Sequence, residues 1–356
     1  MATYLISGDE TQAYLLTSDE SLLVRRTGSL IVGDTPAIVS NGDNLLTIRG
    51  IARSSATETG VGNGIAVVDG SAIVDVGLHG SIVSDHQIGL LASGGLWLDN
   101  DGIVAGAAAG VETTGPWVRI NNAGTIQGTD FQAIISYTPD FRLVNAGTII
   151  GNGGIYFGAY DSIVIHNSGL IDGGITAIEL QPNHYGATRT INSGQLIGDV
   201  VLGSGNDLFN GSLGQQAIID GGGGDDRLVG GAGEEDLRGG TGADVLIGGL
   251  GDDHLDGGDG NDRLRGGGGN DDLLGGANAD TFIFDPGGGT DTIGDFATTI
   301  DRINLRHFNF ATAGDAMAFA SVQGVDVVFN FTGGETLIVE NAAASFNSTL
   351  VDDLLV

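Results

Sequence analysis

The sequence predicts an all-β protein: a right-handed parallel β-helix, then a tighter parallel roll, then a small β-rich C-terminal cap. Three observations predict it. A nonapeptide rich in glycine and aspartate repeats without a break over residues 221–283. Upstream, a Gly-x-apolar signature returns about every 22 residues between 26 and 201. Glycine makes up 65 of 356 residues, more than twice its ordinary share of about 7%. With only 5 prolines, neither collagen nor a Pro-rich linker fits. The expected organisation is N-terminal strands at 1–25, about eight β-helix coils at 26–201, a roll at 202–285 and a cap at 286–356.

In chain order, Tyr4-Leu-Ile, Tyr14-Leu-Leu-Thr and Leu22-Leu-Val read as short strands. The coils are aligned on Gly28, Gly50, Gly80, Gly102, Gly124, Gly147, Gly169 and Gly194, with spacings of 22, 30, 22, 22, 23, 22 and 25. An apolar side chain stands two residues after each, from Leu30 to Leu196. A second apolar strand follows at 37–39, 64–66, 88–90, 133–135 and 177–179. Such coils bury their apolar residues only against neighbouring coils. Asn100, Asn122, Asn145, Asn167 and Asn192 precede the glycine by two. They either stack inward as a ladder or serve as tolerant turn residues. The Asn-x-Gly-Thr-Ile repeats are similar to those of bacterial surface and autotransporter-type solenoids.

From residue 221 the chain runs in nines: GGGGDDRLV, GGAGEEDLR, GGTGADVLI, GGLGDDHLD, GGDGNDRLR, GGGGNDDLL and GGANADTFI. These seven frames fit Gly-Gly-x-Gly-x-Asp-x-(Leu/Phe)-x, with Glu235 replacing the sixth-position Asp and Asn278 the fourth-position Gly. A degenerate frame, LGSGNDLFN, begins at Leu202 and adds Asp207; an insertion near Gln215 puts it one residue out of phase. Glycine admits the left-handed turns, the large residue at position eight fills a core, and the Asp at position six offers a hard oxygen. Two nonapeptides make one turn, so residues 18 apart stack. Asp226, Asp244, Asp262 and Asp280 then line one edge, and Glu235, Asp253 and Asp271 the other. Stacked carboxylates and carbonyls need a cation between them, and oxygen-only donors favour Ca²⁺ over Zn²⁺ or Cu²⁺. The candidate ligands are these carboxylates with Asp207, together with Gly222, Gly224, Gly240, Gly242, Gly249, Gly251, Gly258, Gly260, Gly267 and Gly269. They are expected to hold about five ions.

Residues 202–283 resemble the haemolysin-type calcium-binding (RTX) repeats of proteins exported by type I systems. After them, Thr290-Asp-Thr-Ile-Gly-Asp-Phe and Asp301-Arg-Ile-Asn-Leu resemble the segment that closes RTX rolls in serralysin-like proteins. Alternating runs predict strands at 325–331 and 336–340. The ending Leu350-Val-Asp-Asp-Leu-Leu-Val resembles an uncleaved type I secretion signal. Residues 351–356 are expected to be dispensable for the solenoid, being too few to hold a core together. The first residues lack the basic stretch of a Sec signal peptide.

Asp and Glu number 45 against 13 Arg and no Lys, a net charge of −32. Such a chain repels nucleic acid and anionic lipid, and its natural partners are cations. No apolar run approaches the roughly 18 residues of a membrane span, so membrane insertion is not expected. Without cysteine, disulfides and thiolate metal sites are excluded. H-E-x-x-H, G-x-S-x-G and the D-P-H element of alginate epimerases are all missing, and no catalytic residue is assigned. Asp130, Asp140, Asp161, Asp172 and Glu179, with Arg119, Arg142 or Arg189, leave open a polysaccharide lyase or hydrolase, which needs two carboxyls at a fixed separation. Trp117, Tyr137, Tyr160 and Tyr185 fall late in successive coils. They either form a stripe for sugar or a subunit, or pack under long turns.

Together these features predict a secreted, extracellular or cell-surface-associated calcium-binding structural protein without enzyme activity. It is expected to self-assemble as a homo-oligomer or polymer into a layer, sheath or filament, and to use type I secretion machinery. A surface polysaccharide is a further candidate partner. The alternatives are a carbohydrate-active enzyme on the β-helix and a carbohydrate-binding adhesin.

Overall fold

Both periodicities of the sequence reappear as stacked strands in the computed structural model, which describes residues 3–55, 62–158, 162–211, 217–345 and 350–356. The chain divides into two units, 1–199 and 200–356.

In the first unit the strands form three parallel rows. One row runs Thr3–Ile6, Ser21–Val24, Asn44–Ile48, Ser71–Val76, Gly95–Asn100, Val118–Asn122, Asp140–Asn145, Ser162–Asn167 and Thr188–Asn192. The Gly-x-apolar signature supplies the second row, for example Ser81–Ser84, Ile103–Gly106 and Thr125–Gly128. The second apolar strands supply the third, for example Ile88–Ala92, Ala109–Thr113 and Gln132–Ser136. Residues 3–16 are not set apart from the coils: Thr3–Ile6 stacks on Ser21–Val24, and Ile6 and Leu16 are buried.

Along each strand side chains alternate, because successive Cβ atoms point to opposite faces. Ala72, Val74 and Val76 are buried, while Ile73 between them is exposed. The five asparagines form an inward ladder. Nδ2 of Asn100, Asn122, Asn145 and Asn167 each donates to Oδ1 of the next at 2.7 Å. All five are buried. In the preceding coils the same register position holds Val76, Ile48, Val24 and Ile6, so at Asn100 the stack changes from an apolar to an amide line. Its first member closes on its own turn, since Gly102 N–H donates to Asn100 Oδ1 at 3.2 Å.

The second unit has two parallel rows. Its core is a double column of position-eight side chains. Phe209, Leu228, Leu246, Leu264, Phe282 and Ile303 stack in one row, and Ile219, Leu237, Leu255, Leu273 and Ile293 in the other. All are buried. Beyond the nonapeptides, Thr336–Val339 continues the second row on Thr290–Ile293 and turns antiparallel to Asp326–Asn330. A phenylalanine cluster fills this end, with Phe308 and Phe331 stacked at 4.3 Å between ring centres.

The C-terminal tail is structural, contrary to the expectation that it is dispensable. Leu354–Leu355 is the last rung of the first row, paired with Ile303 and Asn304. Leu350 and Asp353 are buried, and Asp353 accepts from Thr299 N–H at 3.0 Å and from Arg302 at 2.9 Å. A handful of residues can matter to a core when they close its open edge rather than lie over it.

Candidate metal centre

Each edge of the roll is a ladder of position-six carboxylates. From Asp226 onward, Oδ1 of each Asp accepts from the backbone N–H of the acidic residue one turn earlier. On the first edge the pairs are Asp207 with Asp226, Asp226 with Asp244, Asp244 with Asp262 and Asp262 with Asp280, at 2.7 to 2.9 Å. On the second edge Glu235 N–H donates to Asp253 and Asp253 N–H to Asp271, at 2.8 and 2.9 Å. One oxygen of each carboxylate is thereby fixed. The other oxygen of Asp226, Asp244, Asp253, Asp262, Asp271 and Asp280, with Oε1 of Glu235, is buried with no hydrogen-bond partner. A buried, unpartnered anionic oxygen is among the costliest arrangements a fold can hold.

Protonation answers that cost where no cation does. Burial, with neighbouring carboxylates adding to it, pushes Asp244, Asp262 and Asp280 up to about 6 and Asp253 to about 7. Asp226 is pushed to about 8 for the same reasons. Burial also raises Glu235 and Asp271. A divalent cation removes the penalty in a second way, and the donors are oxygens only, as Ca²⁺ prefers. Among the described residues no three His, Asp or Glu side chains gather at one point. An ion between turns must therefore draw most of its ligands from backbone carbonyls.

The glycines make room for those carbonyls. Gly240 and Gly242 have φ of 102° and 132°, and a Cβ on either would strike the carbonyl of Gly222 or Gly224 one turn earlier. Gly222, Gly224, Gly249, Gly251, Gly258, Gly267 and Gly269 share the left-handed backbone. Gly260 does not have a positive φ, but its Cβ would collide with the Gly242 carbonyl. Asn278, where the repeat departs from glycine, is left-handed too, at 85°, a conformation Asn tolerates. The Glu235 turn differs: its longer side chain folds back, and Gly231 N–H donates to Oε2 at 3.0 Å.

Two members of the ladders escape the nonapeptide pattern. Asp271 N–H donates to Asp291, 20 residues on, and Asp280 N–H to Asp301, 21 residues on. Both are buried, and burial with the adjacent Asp271 charge pushes Asp291 up to about 8. Asp301 spends its second oxygen on Ala297 N–H at 2.7 Å, so it ends its ladder. The legible signal was Asp-x-apolar, as in the repeats; the irregular spacing hid it.

The other sequence candidates are dispersed. Asp140 pairs with Arg119 at 2.5 Å, and Asp172 accepts from Gly174 N–H at 3.0 Å. Glu179 stands in register with Tyr156, while Arg142, Arg189 and Asp130 are exposed. Trp117 lies over Gly95. Tyr137, 45% exposed, meets Tyr156 edge-on at 6.2 Å, and Tyr185 is 71% exposed. Tyr160, Asp161 and Gln215 lie outside the described residues.

Stacked glycine turns with an oxygen-only carboxylate ladder on either edge define a calcium-binding parallel β-roll. More particularly, the chain carries RTX calcium-binding nonapeptide repeats, matched in four copies at 218–246, 229–264, 247–282 and 257–293. Proteins with such repeats bind Ca²⁺ and are typically secreted. No curated protein matches the chain. Among solved structures it is similar to the extracellular lipase LipA from Serratia marcescens, at 16% identity and a TM-score of 0.26, over 57% of this chain. The chain spans 40% of that lipase. Among the described residues no helix is long and apolar enough to cross a membrane.

Proposed function

We propose that this protein is a non-catalytic structural component outside the cell, held in shape by calcium, exported by a type I system and assembled from many copies. The observation that carries the reading is the row of buried carboxylate oxygens without partners. At the low calcium of a cell interior the roll is penalised; at millimolar calcium outside, an ion that binds only the folded state stabilises it by mass action. The intervals 226/244, 244/262, 262/280, 235/253 and 253/271 hold about five ions.

Assembly is favoured by the first coil. Leu5 and Leu15, on the outward side of the first coil, are 48% and 64% exposed. Exposed apolar side chains of this kind favour contact with another copy, and a contact between unlike surfaces that does not close yields a filament or layer. Glu179, the glutamate among the candidate carboxylates, shares its line on the third row with Glu112, but Ile135 and Tyr156 stand between them. That is three rungs, about 14 Å, too far for the carboxyl pair of a glycosidase. Light scattering tests the assembly. Particles that grow in millimolar Ca²⁺, and fail to grow with Leu5→Lys and Leu15→Lys, support it; a monomer at high concentration in Ca²⁺ refutes it.

A further inference from the structure

The outward side chains of the first row of residues 1–199 fall into lines, because each rung keeps its register. One line runs Trp97, Arg119, Arg142, Val164 and Arg189. Trp117 leans over Gly95, where a Cβ would strike its indole. The chain's 2 tryptophans therefore share this face, two residues apart along the strand direction. Trp97 is 43% exposed, and Arg142 and Arg189 are exposed.

Among the described residues the acidic groups on the face have partners, and only Asp99, held by a neutral amide, keeps an uncompensated charge. Asn121 donates to Asp99 at 2.7 Å, and Asp140 pairs with Arg119 at 2.5 Å. Arg142 and Arg189 form no ion pair among the described residues. In a chain with 45 acidic residues and 13 Arg, two exposed guanidiniums in one line with no ion pair among the described residues are available to an external anion. The aromatic pair beside them asks for an apolar ring face in the same ligand.

We propose that this face binds a linear polysaccharide of carboxylate-bearing sugars, a polyuronate, laid along the stack. The indoles take the C–H faces of pyranose rings, and the arginines fork onto sugar carboxylates. Rungs stand about 4.8 Å apart, close to the length of one sugar unit, so a straight glycan stays in step with the protein. Trp97 to Arg189 spans four rungs, about 19 Å, room for about four sugars. This inference does not rest on self-assembly, although a protein that coats a surface gains an anchor by it.

Calorimetry on the calcium-loaded full chain tests the proposal, with oligoglucuronates of two, four and eight sugars, neutral maltooctaose and dextran sulfate as probes. The four- and eight-sugar uronates are expected to bind, the disaccharide about tenfold more weakly, and maltooctaose not at all. Trp97→Ala and the pair Arg142→Gln with Arg189→Gln should each weaken binding about tenfold without lowering the melting temperature. Arg142→Lys, which keeps the charge but not the fork, should restore only part of the affinity lost by Arg142→Gln. Absence of uronate binding, equal binding of maltooctaose, or binding that Trp97→Ala leaves unchanged overturns the proposal. So does an effect of these variants on light scattering in the absence of glycan, which makes the face a contact between copies. Failure of the first-coil variants to alter assembly leaves this titration unaffected, so the two readings fail separately.

Discussion

Calcium removal should unfold the roll at neutral pH and spare it partly in acid. The perturbation is excess EGTA, and its size follows from the ladders. Asp244, Asp262 and Asp280 are held at about 6, Asp253 at about 7, and Asp226 and Asp291 at about 8, against an ordinary value near 3.9. Each unit is about 1.4 kcal/mol. At pH 7 the lower three therefore lose about 3 kcal/mol each relative to the unfolded chain, and the upper three about 4. Neighbouring carboxylates share these shifts, so the penalties do not add site by site, but two or three of them already match the roughly 5–15 kcal/mol that stabilises a whole domain. The folded roll binds more protons than the unfolded chain, so its stability is present below pH 4 and is lost as the pH rises through 6 to 8. Far-UV circular dichroism melts and limited proteolysis in EGTA, at pH 5 and pH 8, read the effect. Residues 200–356 should show no cooperative melt at pH 8, a partial one at pH 5, and full recovery when calcium is restored. A roll as stable in EGTA at pH 8 as in calcium refutes the reasoning.

Single sites should behave unequally. Asp244→Ala should lower calcium stoichiometry by more than one ion in calorimetry, because Asp244 borders two intervals, whereas Glu235→Ala, at the end of its row, should remove at most one. Asn145→Ala should cost the first unit about 2–4 kcal/mol, since Asn122 and Asn167 both lose a buried partner; an unchanged melt would mean that the ladder contributes nothing. Leu354→Asp should lower the melting temperature of the roll even in calcium, and a variant as stable as the parent would return the tail to the status of a detached signal. Phe282→Ala should cost about 3–5 kcal/mol by opening a cavity in the core column, checked by denaturant titration.

The roll was legible because one rule serves every turn. Asp, two glycines and a large apolar residue recur at fixed phase, and the structure stacks them as the spacing of 18 requires. Asp291 and Asp301 lay outside that rule because the cap lengthens each turn to 20 or 21 residues. In the first unit the strands marked by Gly-x-apolar and by the later apolar runs were visible. The row holding Leu96, Leu98, Ile120 and Leu143 was visible only at its start, in Tyr4-Leu-Ile and Leu22-Leu-Val, since further on it precedes the turn used for alignment and its outward positions are themselves apolar at Ile73 and Trp97. Asn145 could be read as ladder or turn until the 2.7 Å amide contacts decided it. The tail was misjudged from length alone: its last residues have no core of their own, yet Leu354 completes one already stacked.

Cations are expected to occupy the intervals between stacked carboxylates. A crystal structure of the full chain grown in millimolar Ca²⁺, with anomalous data to identify the metal, tests this most directly. Calcium peaks should lie in the Asp244/Asp262 and Asp253/Asp271 intervals, about 2.3–2.6 Å from the second oxygen of these Asp side chains and completed by glycine carbonyls. Intervals filled only by water, or carboxylates turned outward into solvent at saturating calcium, would contradict this.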